Sequence, residues 1–243
     1  MVIGVIPARI ESTRFPKKIL ADIEGKPMVA HVAERALKAK KLDRVIVAID
    51  AEETKNALSN YEFELFMTKP SHNSGTDRIA EVVRSVEDAE IIINIQGDEP
   101  LLDPSIIDGL VGLFDDPSVS MGTVVSRNIG VNDYLDRNIV KVFLDENQNA
   151  YDFKRDIYDS EIGGVFRHIG LYGFQRDSLF EFTSLPPSHN ELEYSLEQFR
   201  AIDNNISIKA LITNAEQLAV DVPGDIEHVL SKMGKSFEAT TVE

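Results

Sequence analysis

Residues 91–100, with the sequence IIINIQGDEP, form the stretch that decides the fold. The run opens with β-branched residues, which suit a strand buried on both faces of a parallel sheet. It ends in a turn that carries an amide and two carboxylates, at Gln96, Asp98 and Glu99. In open α/β sheets, ligands bind just outside the carboxyl ends of the strands. An acidic turn in that place could hold a hard cation such as Mg²⁺, and the alternative is an ordinary polar turn.

Strands and helices alternate on both sides of this stretch, from residue 1 to about residue 115. The strands that we predict here are Val2–Ile6, Arg44–Ile49, Glu62–Met67 and Ile91–Ile95. Predicted helices begin near Pro27 and cover Glu52–Ser59, Asp77–Val86 and Pro104–Phe114. Such alternation predicts an α/β fold with a doubly wound, mostly parallel sheet and right-handed crossovers.

The pattern changes after residue 115. Further strands are predicted at Ser120–Ser126, Ile139–Leu144, Ala150–Phe153, Val165–Phe174 and Ile206–Ile212, with a hairpin turn at 145–149. Helices are predicted at Asp177–Thr183, Asn190–Ala201 and Pro223–Met233, followed by a loosely ordered tail from Gly234 to Glu243. No Pro/Gly/Ser-rich linker divides the chain, so we predict a single domain over residues 1–243. Residues 1–115 would form the alternating half, and residues 116–233 would complete the sheet and add a small lid or dimerisation lobe.

The composition limits the possible partners. The 243 residues include 25 Lys and Arg against 41 Asp and Glu, a formal net charge of −16. This charge argues against non-specific nucleic-acid binding and against binding to anionic membranes. The absence of cysteine excludes disulfides, thiol catalysis and cysteine-ligated metals, and it fits a cytoplasmic protein. The short apolar N-terminus is interrupted by Arg9 and Glu11, so we expect neither a signal peptide nor a membrane span.

A basic loop follows the first strand. Residues 7–18, PARIESTRFPKK, carry Arg9, Arg14, Lys17 and Lys18 in an otherwise acidic protein. Cations clustered at the end of a first α/β strand indicate an anion site, although a solvated basic loop is the alternative. The loop matches neither the P-loop pattern nor the GxGxxG pattern.

One more loop belongs to the same predicted edge of the sheet, and a second acidic turn comes late in the chain. Residues 68–76 are rich in hydroxyls and turn formers, and residues 220–225 form a second acidic turn. Asp98 and Asp221 could jointly hold Mg²⁺, which accepts one or two carboxylates together with substrate phosphates. Asp221 could instead cap the helix that begins near Pro223. Together the loops indicate an enzyme that uses a nucleoside triphosphate for phosphoryl or nucleotidyl transfer.

Seven runs in order resemble the 3-deoxy-manno-octulosonate (Kdo) cytidylyltransferases. The runs are Pro7–Arg9 with Ser12–Pro16 and Lys18, then Gly25–Met28, His72–Arg78, Asn94–Pro100, Arg167–Tyr172, Leu196–Arg200 and Val220–Pro223. The resemblance extends from Val2 to about Met233. It implies a fold of the nucleotide-diphospho-sugar transferase type and a homodimer. Residues 1–115 would be the nucleotide-binding half, and residues 116–233 would be the sugar-acid and dimer half. The resemblance also implies a product used in lipopolysaccharide or capsule assembly.

The resemblance further implies roles for individual residues. The triphosphate of CTP would be bound by Arg9, Arg14 and Lys18, and the cytidine by Ser74, Gly75 and Arg78. Mg²⁺ would be held by Asp98 and Asp221. The sugar-acid pocket would be lined by Gln96, Arg155, His168, Glu197 and Gln198. Arg9, Lys18 and Asp98 would act in catalysis as the anomeric C2 hydroxyl of the sugar acid attacks the α-phosphorus of CTP. From the residues alone, His168 is a structural histidine and Glu197 and Gln198 are solvated helix residues.

The chain departs from the family near the sugar pocket. Where the family reads Ala-Leu-Tyr-Phe-Ser-Arg, residues 150–155 place Asp152 for the tyrosine and Lys154 for the serine. The following segment, Asp156–Val165, is shorter than usual, and Lys17 stands where the basic loop usually has glycine. We therefore add Asp152 to the sugar-acid candidates, as a receptor for the ammonium group of a substrate such as 8-amino-Kdo. The alternative is that Asp152 pairs with Lys154, Arg155 or Arg167.

Two other functions compete with Kdo activation. One is cytidylyl transfer to a different sugar acid or to a phosphonate, which the altered region 151–165 supports. The other is a catalytically silent relative that binds a nucleotide for regulation. Retention of Arg9, Lys18, Asp98 and Asp221 argues against the silent relative.

Overall fold

The computed structural model describes residues 1–157, 163–216 and 218–238. Its strands are β1 (Val2–Ala8), β2 (Asp22–Ile23), β3 (Lys26–Pro27), β4 (Arg44–Ile49), β5 (Glu64–Met67), β6 (Ile91–Asn94), β7 (Met121–Ser126), β8 (Lys141–Leu144), β9 (Asn149–Lys154), β10 (Val165–Gln175) and β11 (Ile208–Thr213). Its helices are α1 (Met28–Ala36), α2 (Glu52–Leu58), α3 (Gly75–Arg84), α4 (Pro104–Gly112), α5 (Val131–Leu135), α6 (Arg176–Ser184), α7 (His189–Tyr194), α8 (Phe199–Asp203) and α9 (Asp225–Glu238).

Nine strands in the described ranges form one sheet, in the order β5-β4-β1-β6-β10-β7-β11-β9-β8. β4, β1 and β6 are parallel neighbours, and β5 joins β4 in the same direction. β9 and β10 run against the other strands. The prediction of a doubly wound, mostly parallel α/β sheet is therefore confirmed. β2 and β3 form a separate two-stranded ribbon.

The long strand β10 connects the two halves of the sheet. Its C-terminal part pairs with β6, and its N-terminal part pairs with β8 on the same side. Its other side pairs with β7, with an irregularity between Ile169 and Tyr172. The pairings β10–β7, β7–β11, β11–β9, β9–β8 and β8–β10 close into a small circuit. The second half thus extends the sheet and curls it into a lobe.

Helices cover both faces of the parallel part of the sheet. Successive side chains of a strand point to opposite faces. On β1, Ile3 and Val5 face a core that includes residues of α3 and α6. Ile6 and Ala8 face a second core with residues of α1 and α4. Because both faces are covered, the polar groups that remain accessible at these strands lie at their ends.

Some predicted elements were wrong. The single helix expected over Asn190–Ala201 is two helices, α7 and α8, because Ser195 adopts a left-handed conformation with φ 53°. The tail expected from Gly234 is wrong for residues 234–238, since α9 continues through Gly234 to Glu238, and residues 239–243 lie outside the described residues. Helix α5 and the β2–β3 ribbon were not predicted. No helix within the described ranges is both long and apolar enough to cross a lipid bilayer.

Candidate active site

The loops that follow the parallel strands meet around a cavity of about 310 Å³. Its lining includes the basic-loop residues Arg9, Arg14 and Lys18, the α3 residues Ser74, Gly75 and Arg78, and the turn residues Gln96, Asp98 and Asp221. All the residues that we predicted for CTP and Mg²⁺ thus lie around this one space, which we call the first cavity. Their convergence agrees with the expectation that ligands bind at the carboxyl ends of parallel strands.

A single ammonium group connects the two acidic turns. The Nζ of Lys18 lies 2.6 Å from Oδ2 of Asp98 and 3.3 Å from Oδ1 of Asp221. Arg14 contacts the same Oδ1 of Asp221 at 2.9 Å. The backbone also joins the turns, since the N–H of Val220 donates to the carbonyl of Asp98 at 2.9 Å. Two carboxylates that are 123 positions apart in the sequence therefore face one cationic point.

This arrangement fits a magnesium ion that arrives with a nucleotide. Among the described residues, no group of three or more Asp, Glu, His or Cys side chains could hold a metal alone. Mg²⁺ is commonly bound by one or two carboxylates with the other ligands from water and substrate phosphates. Asp98 and Asp221 supply that number of carboxylates, at a point where a positive charge already lies.

The neighbouring cations differ in their partners. Arg9 lines the first cavity, and its guanidinium has no hydrogen bond or ion pair within the described ranges. Lys17, in contrast, points to α2, where its Nζ lies 2.6 Å from Glu53. Lys17 has φ 55°, a left-handed conformation that glycine adopts without steric cost. The glycine usual at this family position is explained by the backbone, and Lys17 needs no substrate contact to account for its presence.

A buried ion pair between Asp50 and Arg78 stabilises the basic loop. Asp50, directly after β4, accepts from the backbone N–H of Ile10 at 2.9 Å. Its other oxygen accepts from Arg78 at 2.9 Å, and both side chains are almost fully buried. Arg78 also donates to the hydroxyl of Thr68. Arg78 therefore reaches the cavity wall with its guanidinium already paired, and Asp50 is a functional residue that sequence analysis missed.

Helix α3 begins at the cavity. Ser74 caps the helix, and its side chain accepts from the N–H of Asp77 at 3.1 Å. Gly75 lies close to Pro7, because a Cβ on this glycine would stand 3.2 Å from Cγ of Pro7. The small residues Ser74 and Gly75 thus let the first turn of α3 approach the basic loop, which narrows this side of the cavity.

Of the six residues predicted for the sugar acid, three line a cavity, and the other three, His168, Glu197 and Gln198, line neither of the two cavities. Gln96 lines the first cavity. Asp152 and Arg155 line a second cavity of about 620 Å³, together with Arg137, Phe153, Lys154, Asp156, Ile157, Asn190, Glu193, Tyr194 and Phe199. His168 packs on Phe153 of the second cavity, with 5.3 Å between ring centroids, and Glu197 accepts from Thr76, the residue after Gly75 of the first cavity. The predicted shortening of Asp156–Val165 falls largely on residues 158–162, outside the described residues.

His168 is a neutral imidazole with a defined tautomer. Burial lowers the pKa of His168 to about 3. Its Nε2 lies 3.0 Å from the hydroxyl oxygen of Thr123. That hydroxyl donates its only hydrogen to the carbonyl of Leu171, so it accepts from His168. Nε2 therefore carries the proton, and Nδ1 is the acceptor nitrogen.

Gln198 is buried and Glu197 is only partly exposed, contrary to the expectation from the residues alone. Glu197 accepts from the hydroxyl of Thr76 at 2.7 Å, and burial raises the pKa of its carboxyl. Its Oε1 has no hydrogen bond among the described residues, with the Arg200 guanidinium 3.8 Å away. Nε2 of Gln198 is likewise buried without a hydrogen-bond partner in the described part of the chain. The break at Ser195 explains the error, because these two residues lie between α7 and α8 and not on a continuous helix surface.

Asp152 already has a cationic neighbour. Its Oδ2 lies 3.1 Å from Nζ of Lys154, and its Oδ1 accepts from the N–H of Phe153 at 2.8 Å. Lys154 also lies over the ring of Phe143, 5.2 Å from the centroid. The two departures from the family pattern, Asp152 and Lys154, thus form a pair on the wall of the second cavity.

Glu99, the second carboxylate of the acidic turn, is buried beside Asp98 and lines neither cavity. Its side chain is 5% exposed, and its Oε2 has no hydrogen bond to any described residue. Burial and then the charge of Asp98 raise the pKa of Glu99 well above its usual range.

Comparison with known proteins agrees with this geometry. The chain matches the cytidylyltransferase family over residues 3–218. A 3-deoxy-manno-octulosonate cytidylyltransferase of Geobacter sulfurreducens is 42% identical, over 96% of this chain and 99% of that protein. The chain belongs to this cytidylyltransferase family. A protein of the same description from Solibacter usitatus is 45% identical, over 94% of this chain and 92% of its own. The family resemblance and the assignment as a nucleotidyltransferase enzyme are thereby confirmed.

Solved structures extend the comparison to the fold. The structure of CMP:2-keto-3-deoxy-manno-octonic acid synthetase complexed with CTP has a TM-score of 0.90 and 36% identity, covering 97% of this chain and 99% of that one. A cytidylyltransferase from Leptospira borgpetersenii has a TM-score of 0.65 at 18% identity, over 95% of this chain and 85% of that one, and shares the fold.

Proposed function

We propose that this enzyme transfers CMP from CTP to the anomeric C2 hydroxyl of Kdo or a close analogue, with Mg²⁺, and releases pyrophosphate. The observation that carries the proposal is the meeting of Asp98 and Asp221 at the ammonium of Lys18, inside a cation-lined cavity of a cytidylyltransferase family member. Family relatives that bear the Kdo cytidylyltransferase name support the choice of acceptor.

The first cavity would take the nucleotide. Arg9 is the cation best placed to contact a triphosphate, because it lines the cavity and forms no ion pair with a described carboxylate. Lys18 and Arg14 would exchange their contacts with Asp221 for contacts with phosphate oxygens, which guanidinium and ammonium groups bind well. Ser74 and Gly75, at the start of α3, would face the cytidine side of the cavity.

The reaction joins the acceptor oxygen to the α-phosphorus. As that bond forms, the bond from the α-phosphorus to the bridging oxygen breaks, and its electron pair leaves with pyrophosphate. The hydroxyl proton passes to solvent. Asp98 and Asp221 would hold Mg²⁺, which would supply charge neutralisation at the phosphates and make the hydroxyl more acidic. Arg9 and Lys18 would stabilise the charge that develops on the leaving group, so no covalent nucleophile is needed.

The second cavity and the residues beside it would take the sugar acid. Arg155 offers a guanidinium for a carboxylate, and His168 offers Nδ1 as an acceptor for a sugar hydroxyl. The unpartnered atoms of Glu197 and Gln198 are buried polar groups that a substrate could satisfy. Gln96 lies in the first cavity, where it would face the acceptor near the α-phosphate.

Asp152 would decide between acceptors. On an 8-amino-Kdo substrate, the ammonium would replace Lys154 as the partner of Asp152. With Kdo itself, the Asp152–Lys154 pair would remain intact. A different sugar acid or a phosphonate is the competing acceptor, and the same two residues support it.

The remaining parts of the proposal rest on family resemblance. The product would supply lipopolysaccharide or capsule assembly, and the enzyme would act in the cytoplasm as a homodimer. CTP and a Kdo-like sugar acid would be its small-molecule partners, without nucleic acid or membrane.

A substrate panel tests the proposal. The purified chain is mixed with CTP and Mg²⁺ and with Kdo, 8-amino-Kdo, another sugar acid, a phosphonate or no acid, and pyrophosphate release is measured. Release that requires Kdo or its amino analogue supports the proposed function. Release with another acid alone would transfer the assignment to that acid. CTP binding without release for any acid would favour the catalytically silent relative.

Equal rates for Kdo and 8-amino-Kdo would exclude Asp152 as the ammonium receptor. An Asp152→Asn variant that lost activity on the amino analogue and kept activity on Kdo would support that role.

A further inference from the structure

Lys141 is the one lysine that is fully buried in the described part of the chain. It is the first residue of β8, and its side chain has no measurable exposure. Its Nζ donates to two backbone carbonyls, those of Asp136 at 2.6 Å and Arg155 at 2.9 Å. No described carboxylate lies within ion-pair distance of it, and burial lowers the pKa of Lys141. Burying an ammonium that is hydrogen-bonded only to carbonyls costs free energy of folding. We therefore expect Lys141 to have a role that offsets this cost.

The two carbonyls belong to the two segments that form one wall of the second cavity. Arg137 follows Asp136, and its carbonyl accepts from Nη1 of Arg155 at 3.0 Å. The Arg137 side chain lies 3.1 Å from Asp156, the residue after Arg155. Three connections thus join the segments 136–137 and 155–156. Two are direct contacts between the segments, and the third is the buried ammonium of Lys141, which bridges the carbonyls of residues 136 and 155.

We propose that Lys141 is a positioning residue for the acceptor, acting through Arg155. Its ammonium fixes the backbone at residues 136 and 155, and this sets the direction in which the Arg155 guanidinium enters the second cavity. The inference rests on the proposed function, because it takes the second cavity as the sugar-acid site. It predicts that loss of the ammonium weakens use of the sugar acid and leaves use of CTP unchanged, since the two carbonyls that accept from Lys141 belong to residues that do not line the first cavity.

The test compares Lys141→Met with a matched control, Lys209→Met. Lys209 also donates its Nζ to a backbone carbonyl of the β8–β9 hairpin, that of Asn147 at the turn. Both substitutions remove an ammonium–carbonyl contact from the same hairpin, but only Lys141 supports the cavity wall. For Lys141→Met, we expect the KM for the sugar acid to rise about tenfold or more, with the KM for CTP within about twofold of wild type. Lys209→Met should leave both values unchanged.

Lys141→Arg keeps the charge and the donors, and it carries the same test if the methionine variant does not fold. We expect it to restore part of the sugar-acid KM. An equal rise of both KM values would show a general loss of structure and overturn the proposal. An unchanged sugar-acid KM in folded variants would overturn it as well.

Hydrogen–deuterium exchange separates this inference from the proposed function. Backbone amides at 154–157 should exchange faster in the Lys141 variants than in wild type or Lys209→Met. Faster exchange with no turnover of any Kdo-like acid by wild type would leave the positioning intact and refute the acceptor. Unchanged exchange at 154–157 would refute the positioning role even if wild type uses Kdo.

Discussion

Asp98 joins the basic loop to the second acidic turn of the candidate site. Its carboxylate contacts Lys18, and its carbonyl accepts from Val220 on the other acidic turn. We expect Asp98→Asn to lower the rate of pyrophosphate release at least about 10²-fold, because one carboxylate of the proposed metal pair is lost. The control is Asp115→Asn, an exposed aspartate outside both cavities. Near-normal turnover of Asp98→Asn would remove this residue from the metal assignment.

His168 makes the stability of the fold depend on pH. Its native pKa of about 3 lies below the value of 6.5 usual for histidine, so the unfolded chain gains a proton first as the pH falls. The stability contributed by the neutral ring is present above about pH 6.5 and is lost progressively toward pH 3. Between pH 7.5 and pH 5 the loss should be about 2 kcal/mol.

Urea unfolding at these two pH values measures the effect. In His168→Gln, which has no ionisable ring, the fall in unfolding free energy between the two pH values should be smaller by that amount. His189→Gln, at an exposed position of α7, controls for loss of a histidine. An identical fall in wild type and His168→Gln would contradict the assignment of a buried neutral ring.

At the scale of elements, Asp50 connects the end of β4 to the basic loop and to α3. We expect Asp50→Asn to lower the free energy of unfolding by about 3 kcal/mol, since it leaves the Arg78 guanidinium buried without its counter-charge. The KM for CTP should also rise, because Ile10, beside Arg9, loses its carboxylate acceptor. The measurements are urea unfolding and initial rates at varied CTP.

The matched control lies at the other end of the same strand. Glu64→Gln breaks the part-exposed pair of Arg44 with Glu64, between β4 and β5, and should cost less than about 1 kcal/mol. Comparable losses of unfolding free energy in Asp50→Asn and Glu64→Gln would show that the buried Asp50–Arg78 pair contributes no more to stability than the part-exposed pair.

Helices and strands with a clear pattern of apolar residues were predictable from sequence. Features that depend on tertiary contacts were not. The β-branched run 91–95 predicted a buried strand, and β6 covers Ile91–Asn94. The helix expected over 190–201 failed because a left-handed Ser195 is not visible in a hydrophobic pattern. Asp50 and Lys141 bond to backbone groups that lie 40, 5 and 14 positions away, and no local rule selects those partners. The first cavity was predictable, since three polar loops follow parallel strands.

At the scale of the whole molecule, exposed apolar side chains are concentrated in the second half. Of the eight large hydrophobic residues that are exposed in the described ranges, six lie beyond residue 115, namely Val131, Leu135, Tyr151, Leu192, Tyr194 and Val222. This distribution supports the proposed homodimer with its interface in that half. We expect light scattering to give about twice the chain mass of 27.1 kDa.

Leu135→Asp and Leu192→Asp should shift the mass toward a single chain, whereas Met67→Asp, exposed on β5 in the first half, should not. A wild-type mass of one chain at assay concentration would refute the dimer.

The position of β10 also governs how this polypeptide can be divided. A break between Asp115 and Met121 would leave the first fragment with β6 as an unpaired edge, while β10, its partner, would reside on the second. Exposed edges of that kind associate with other chains. We therefore expect each fragment to precipitate when it is produced alone, and the two fragments to form the native fold when they are refolded together. The halves of this enzyme should then not be exchangeable between homologues as independent modules.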